Sequence, residues 1–527
     1  MKNLTKLFTM ALALIVALSL ATTAFAATII VNDKDIENAE YGAYKLLNVT
    51  DLGNGKFNYT VNPTYRDALL AAINSDEELT DEQIINYIAA LTGDAIQDFA
   101  DAVFEQVKTM DPDEETTTNQ FTDVDQGYYL IVETETGSAE GFDEDTYSLV
   151  MLDTAGQNEI TVNTKEELPE SEKKVKDAND TTGDKSDWQD SADHDIEDEV
   201  SFQITFKLPG KFEEYETYYV GVHDVQAKGL TYNNDLVVTV NGTDLTDSFD
   251  YSAVTEGACK KGCTFHIQCD DIISAATAEG ITLKAGDVIY FNYTSTLNEE
   301  AEFGATGNPN DMTIEFSNNP YGDGTSFTPW DRVIVFTFRV DVDKYTTIDG
   351  TKTNLPGAGF TLYKEVADAN TEDAKTGAEI KAELALQNAA IKASALKDEA
   401  YYVIAATVEV DAAGDTFSFK GVDDGNYVLV ETLIPVGYNA WNAEEFTISA
   451  EHDIEHDAPQ LTELTGGNLL TGEVSTGILR GEIENKSGIE LPETGGIGTT
   501  IFYIVGGLLA VAAVVLLVTK KRMASAE

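Results

Sequence analysis

Cysteine, proline and basic residues are scarce in this 527-residue chain: three Cys, 11 Pro, and 33 Lys and Arg against 93 Asp and Glu. Three cysteines cannot supply a disulfide framework spanning several domains, so any long-range covalent staple has to come from other chemistry. Cys259 and Cys263 flank Lys-Lys-Gly, which reads as a hairpin tip, and are expected to pair; Cys269 follows an alternating strand and reads as a buried thiol. A net charge of −60 repels polyphosphates and anionic membranes, which excludes nucleic acid as a partner. Only five histidines occur. There is no H-E-x-x-H, no G-x-S-x-G, no convincing Cys/His pairing and no EF-hand loop, so no enzymatic activity, metal site or cofactor is expected.

Aromatic residues are plentiful, with 23 Tyr and 23 Phe. Together with Val, Ile and Thr they favour strands, and the composition is not that of a disordered chain. The two ends read as processing signals. Lys2 and Lys6 precede an apolar run from Leu7 to Leu20 and the small-residue site Ala24-Phe25-Ala26, the pattern of a secretory signal peptide over residues 1–26. At the other end, Leu491-Pro492-Glu493-Thr494-Gly495 is followed by an apolar stretch over 501–518, long enough to span a bilayer, and then by Lys520-Lys521-Arg522. This order resembles the cell-wall sorting signal read by sortases. The resemblance implies that a sortase thiolate attacks the Thr494 carbonyl and releases everything from Gly495 onward, leaving an acyl-enzyme.

The length between the ends suggests about three domains. Residues 27–168 open with strands, continue through a helical stretch from about Tyr65 to Met110, and return to strands at Tyr128–Glu133 and Ile160–Val162. Residues 169–330 alternate almost throughout, as in Val200, Phe202, Ile204 and Phe206, the signal of an antiparallel sandwich. Residues 331–490 repeat that signal, with an alanine-rich helical insertion at about Lys375 to Leu396. The expected fold is mainly β: three tandem immunoglobulin-like β-sandwich domains, the first with a substantial helical insertion. Residues 491–527 form the sorting segment.

In the third segment Val340, Val342 and Lys344 share a strand face by period two, as do Ile483 and Asn485 near its end. Between them, Tyr427-Val428-Leu429-Val430-Glu431-Thr432-Leu433-Ile434-Pro435-Val436-Gly437-Tyr438 resembles the pilin E-box, Y-x-L-x-E-T-x-A-P-x-G-Y, with Ile434 in place of alanine. The resemblance is to Cna-B-type domains of sortase-assembled Gram-positive major pilins. It implies a spontaneous Lys344–Asn485 isopeptide bond assisted by Glu431. A charged lysine on a core-facing position is costly, and desolvation favours its neutral, nucleophilic amine.

The second segment opens with Glu172-Lys173-Lys174-Val175, in which Lys173 and Val175 share a face. His223-Asp224-Val225 resembles the acid-bearing strand of Cna-A-type pilin domains, and Ile314, Phe316 and Asn318 share a face near the segment's end. The expected bond is Lys173–Asn318 assisted by Asp224, with Lys174 and Asn319 as neighbouring alternatives that a single bulge would select. Lys45 and Glu133 echo these sites faintly, and no third bond is expected there. Finally, Ile160-Thr161-Val162-Asn163-Thr164-Lys165 resembles the pilin motif V-x-V-Y-P-K, with Asn163-Thr164 in place of Tyr-Pro. The resemblance implies that Lys165 attacks the Thr494 acyl-enzyme of another copy, giving a head-to-tail homopolymer, the shaft of a cell-surface pilus. A wall-anchored adhesin or minor pilin that does not polymerise is the alternative. The partners implied are sortase, other pilin subunits and peptidoglycan, with the host surface a further candidate.

Overall fold

A computed structural model describes residues 26–488 except 33–38, 75–78, 93, 136–148, 164–167, 254–258, 260, 321–323 and 410–415. The signal segment up to residue 25, Lys165, the sorting motif Leu491–Gly495 and the apolar run 501–518 lie outside the described residues. Among the described residues no helix is long and apolar enough to cross a membrane.

The chain is mainly β, in three successive pairs of facing sheets. In the first, a three-stranded sheet (Gln120–Asp125, Ala26–Asn32, Glu159–Asn163) faces a sheet ordered Lys56–Val61, Glu40–Gly53, Gly127–Glu135, Leu149–Asp153. Ile29, Val31, Tyr41, Phe121 and Ile131 are buried between them. The expected helical stretch is three helices, Arg66–Ile73, Asp81–Ala90 and Asp94–Val107, inserted after the strand Lys56–Val61. The first break follows from local chemistry. Asn74 ends the first helix in the left-handed conformation, and Thr80 with Gln83 closes a capping box on the second. Leu69, Ile84, Ile88 and Val103 press the helices onto the outer face of the second sheet.

The second body is the largest core. The strand Glu199–Lys207 alternates without a fault: Val200, Phe202, Ile204 and Phe206 are all fully buried. It pairs antiparallel with Val288–Leu297 on one side and with Glu170–Val175 on the other, which places Lys173 opposite Ile204 on the inward face. The facing sheet runs Ser191–Asp193, Asp331–Phe336, Asn308–Ser317, Val220–Gln226, Phe265–Cys269, Asp250–Ala253. The second sheet system therefore extends through Phe336, past the expected boundary at 330. The strand Asp331–Phe336 serves two cores by period two: Val333 and Val335 enter the second, Ile334 and Phe336 the third. That sharing is why no composition shift marks the junction.

The third body pairs Phe338–Ile348 parallel with Ile478–Glu484 and antiparallel with Thr416–Val422, facing a sheet built on Gly359–Val366, Gly425–Leu433 and Glu444–His452. The alanine-rich insertion forms the helix Gly377–Gln387, started by a Thr376–Glu379 capping box. A short hairpin, Ala178–Asn179 with Asp184–Lys185, reaches from the second body onto the third. There Thr181 Oγ1 donates to the Glu365 carbonyl (3.0 Å) and accepts from the Asn426 N–H (2.9 Å). Gly425, at φ +146°, passes so close that a Cβ would lie 2.8 Å from Thr181 Oγ1.

Candidate functional site: two buried lysine–asparagine–acid clusters

In the third body the parallel pairing sets Lys344 beside Ile483 and carries Asn485 one step past the end of its strand, where its N–H donates to the Tyr345 carbonyl at 3.0 Å. Lys344 Nζ donates to Asn485 Oδ1 at 2.5 Å. Asn485 Nδ2 donates to Glu431 Oε1 at 2.7 Å, and the same carboxylate oxygen lies 3.1 Å from the amine. Glu431 Oε2 accepts from the Trp441 N–H at 2.7 Å, so both oxygens of the acid are held. All three side chains are buried, under the ring of Phe360. Burial pulls the Lys344 amine down to about 8, with Glu431 opposing the shift. The E-box strand Gly425–Leu433 turns Tyr427, Leu429 and Glu431 inward by alternation, which delivers the acid from the facing sheet.

The second body assembles its cluster differently. Lys173 comes from one sheet and Asp224 from the other, with Lys173 Nζ 2.5 Å from Asp224 Oδ2. The amide beside the amine belongs to Asn310: Lys173 Nζ donates to Asn310 Oδ1 at 2.6 Å. Asn318 is not the neighbour of Lys173. It lies on the same face of the same run, at the far end beside Gly324. Period two gave the face, but the level is set by pairing: Gln226 stands opposite Asn310 and Asp224 opposite Met312, whereas Asn318 lies beyond Phe316, which is opposite Val220. Of the neighbouring alternatives, Lys174 is partly exposed and paired with Asp190 at 2.6 Å and Glu172 at 2.9 Å.

Tyr293, which sequence patterning did not single out, completes the cluster. Asn310 Nδ2 donates to the Tyr293 hydroxyl (3.0 Å), which donates to Asp224 Oδ2 (2.6 Å). In the third body the acid touches the amide nitrogen directly; in the second a phenol stands between them. Phe202, opposite Tyr293 in the register, adds its ring to the wall around the amine. Burial pulls the Lys173 amine below its ordinary value and pushes the Asp224 carboxyl up. Tyr293→Phe should keep the aromatic wall while removing the hydroxyl relay. We expect it to slow loss of ammonia from the second body by roughly 10–100-fold, the kinetic equivalent of about 1–3 kcal/mol for an unmet buried polar group, and to leave the third body unaffected. A mass-spectrometric time course with unchanged kinetics would remove Tyr293 from the chemistry.

The remaining positions are simpler. Cys259 and Cys263 are joined as a disulfide and Cys269 is a buried free thiol. Lys45 and Glu133 are not brought together. Lys45 stands opposite Tyr129 and reaches Asp125 at 3.4 Å, while Glu133 stands opposite Tyr41.

Residues 342–460 match the SpaA family, described as a prealbumin-like fold domain, and residues 483–525 match the LPXTG cell wall anchor motif. The chain is 26% identical over 360 residues to the trypsin-resistant surface T6 protein of Streptococcus pyogenes serotype M6, an alignment covering 62% of this chain and 65% of that protein's length. Among solved structures it is similar to the T6 backbone pilin of serotype M6 Streptococcus pyogenes, with 17% identity, a TM-score of 0.48 and coverage of 88% of this chain and 99% of that one. It is also similar to the full-length major pilin SpaD of Corynebacterium diphtheriae, with 15% identity, a TM-score of 0.46 and coverage of 88% and 98%. The SpaA match covers Lys344 and Glu431, and the anchor match begins just before Asn485.

Proposed function

We propose that this protein is the structural shaft subunit of a covalent surface pilus, closed internally by Lys173–Asn310 and Lys344–Asn485 bonds and polymerised through Thr494 and Lys165. The observation that carries the reading is the repeated constellation: two successive bodies each bury a lysine against an asparagine amide with an acid in reach. In each, the neutral amine attacks the amide carbon. The Nζ–Cγ bond forms, the Cγ–Nδ2 bond breaks, and nitrogen leaves as ammonia after taking up a proton passed through the acid. The acid ends as it began, and each cluster reacts once, so this is self-modification with no turnover on a substrate.

Three domains fit this plan, with junctions near 168 and, from the shared strand, just beyond Phe336. Lys165 would attack the thioester formed at Thr494: the amide bond forms, the sortase thiolate leaves, and the amine gives up its proton. In support, the strand Glu159–Asn163, two residues before Lys165, is laid parallel along Ala26–Asn32 with Val162 buried, which anchors the approach to that lysine. The partners are then sortase, further copies of this chain and, for the last copy added, peptidoglycan. Wild-type cells should show a ladder of high-mass species in boiling detergent, and Lys165→Ala should reduce it to a single anchored band. A single band from wild type would return the protein to the anchored-adhesin or minor-pilin reading.

A further inference from the structure

The joint between the second and third bodies buries more acid than the internal bonds require. Lys364, buried there, is committed: its Nζ donates to Asp180 Oδ2 (2.6 Å), Asp195 Oδ2 (2.7 Å) and Asp423 Oδ1. Beside it stands a separate group of different chemistry. Asp177 and Asp193 of the second body and His452 of the strand Glu444–His452 each bring one donor atom within 4.8 Å of the others. Asp193 is 2% exposed, and its Oδ2 has no hydrogen-bond partner.

The histidine's tautomer follows from its neighbours. Ser191 Oγ lies 2.6 Å from the Asp453 carbonyl, which can only accept, so the one hydroxyl proton is spent there. His452 Nδ1, 2.7 Å from the same Ser191 Oγ, must then be the N–H donor. Nε2 is left with its lone pair facing the carboxylates, 3.8 Å from Asp177 Oδ2. Lone pair against carboxylate is repulsive unless a cation or proton lies between.

We propose that Asp177, Asp193 and His452 form a binding site for a divalent cation of the zinc class, which clips the second body to the third. One imidazole nitrogen with two carboxylate oxygens suits zinc, whereas calcium prefers a larger, all-oxygen shell of carboxylates, carbonyls and water. Two carboxylates balance the cation's charge, and water completes the coordination. Ser191 orients the ring from the far side, the usual outer support of a metal-bound histidine.

The test uses chain released from digested cell walls, stripped with a chelator and dialysed against zinc, with calcium as comparator. Wild type should take up stoichiometric zinc in preference to calcium. Ser191→Ala, which loosens only the ring's orientation, should weaken zinc binding by roughly 10–100-fold, and His452→Gln should weaken it further, with circular dichroism showing both variants folded. Wild type taking up no zinc overturns the proposal. Equal uptake by wild type and His452→Gln overturns it too, assigning the metal to surface carboxylates. So does a proton shared between Asp193 and His452, seen by NMR as a persistent downfield resonance unaffected by zinc.

Discussion

Glu431→Ala should leave the third body open, with Lys344 and Asn485 both present and unjoined. The intact mass, corrected for the substitution, should exceed wild type by one ammonia. The stability effect is large for two reasons. Lys344 and Asn485 are 141 positions apart, and a cross-link over that span restricts the unfolded chain by about 5 kcal/mol. The variant also buries an amine that has lost its acid, at a further cost of about 3–5 kcal/mol unless the amine is neutral. Burial already lowers Lys344 to about 8, so part of that second cost is escaped by deprotonation at alkaline pH. The sign follows: removing Glu431 removes the influence that raises the amine, its folded pKa falls further below the unfolded value, and the variant gains stability relative to itself as pH rises towards that unfolded value. Denaturation midpoints at neutral and alkaline pH would show it. A variant that still loses its ammonia as fully as wild type would strip Glu431 of its role.

The second large effect separates two asparagines on one strand face. Asn310→Ala should abolish the second body's bond, raise the corrected mass by one ammonia and cost stability on the same scale, since Lys173 and Asn310 are 137 positions apart and the closure is again worth about 5 kcal/mol. Asn318→Ala should leave the ammonia count unchanged. Tandem mass spectrometry of a digest should find a branched peptide joining Lys173 to Asn310 in wild type. A branch ending at Asn318 would reverse the assignment. The internal control is the third body, whose bond should persist in both variants.

These two cases also show what a sequence can and cannot disclose here. Lys344, Glu431 and Asn485 could be read because the E-box fixes the acid and alternation fixes the inward faces. The partner strand of Lys344 is also the last strand in chain order, so few asparagines compete. Lys173 and Asp224 could be read for the same reason of alternation. Asn310 could not: Asn308, Asn310, Met312, Ile314, Phe316 and Asn318 are all buried, and parity makes them equivalent. Only the register against Val220–Gln226, a contact some ninety residues apart in the chain, chooses the level. Tyr293 is hidden likewise, since its hydroxyl gains meaning only from the sheet across the core. The joint between bodies was least legible. Its acids and His452 come from a hairpin, connecting segments and strand ends that carry no periodic signal, and the strand Asp331–Phe336 obscures the boundary by feeding two cores at once.

The parallel pairing of Phe338–Ile348 with Ile478–Glu484 has one more consequence. Once Lys344 and Asn485 are joined, the polypeptide between them is a ring. Any single peptide bond inside it can be hydrolysed without the chain parting, because a second covalent route bypasses the gap. A filament made of such links would survive a solitary nick in each ring with its continuity intact. Two cuts within the looped polypeptide would release a piece while leaving the main line whole.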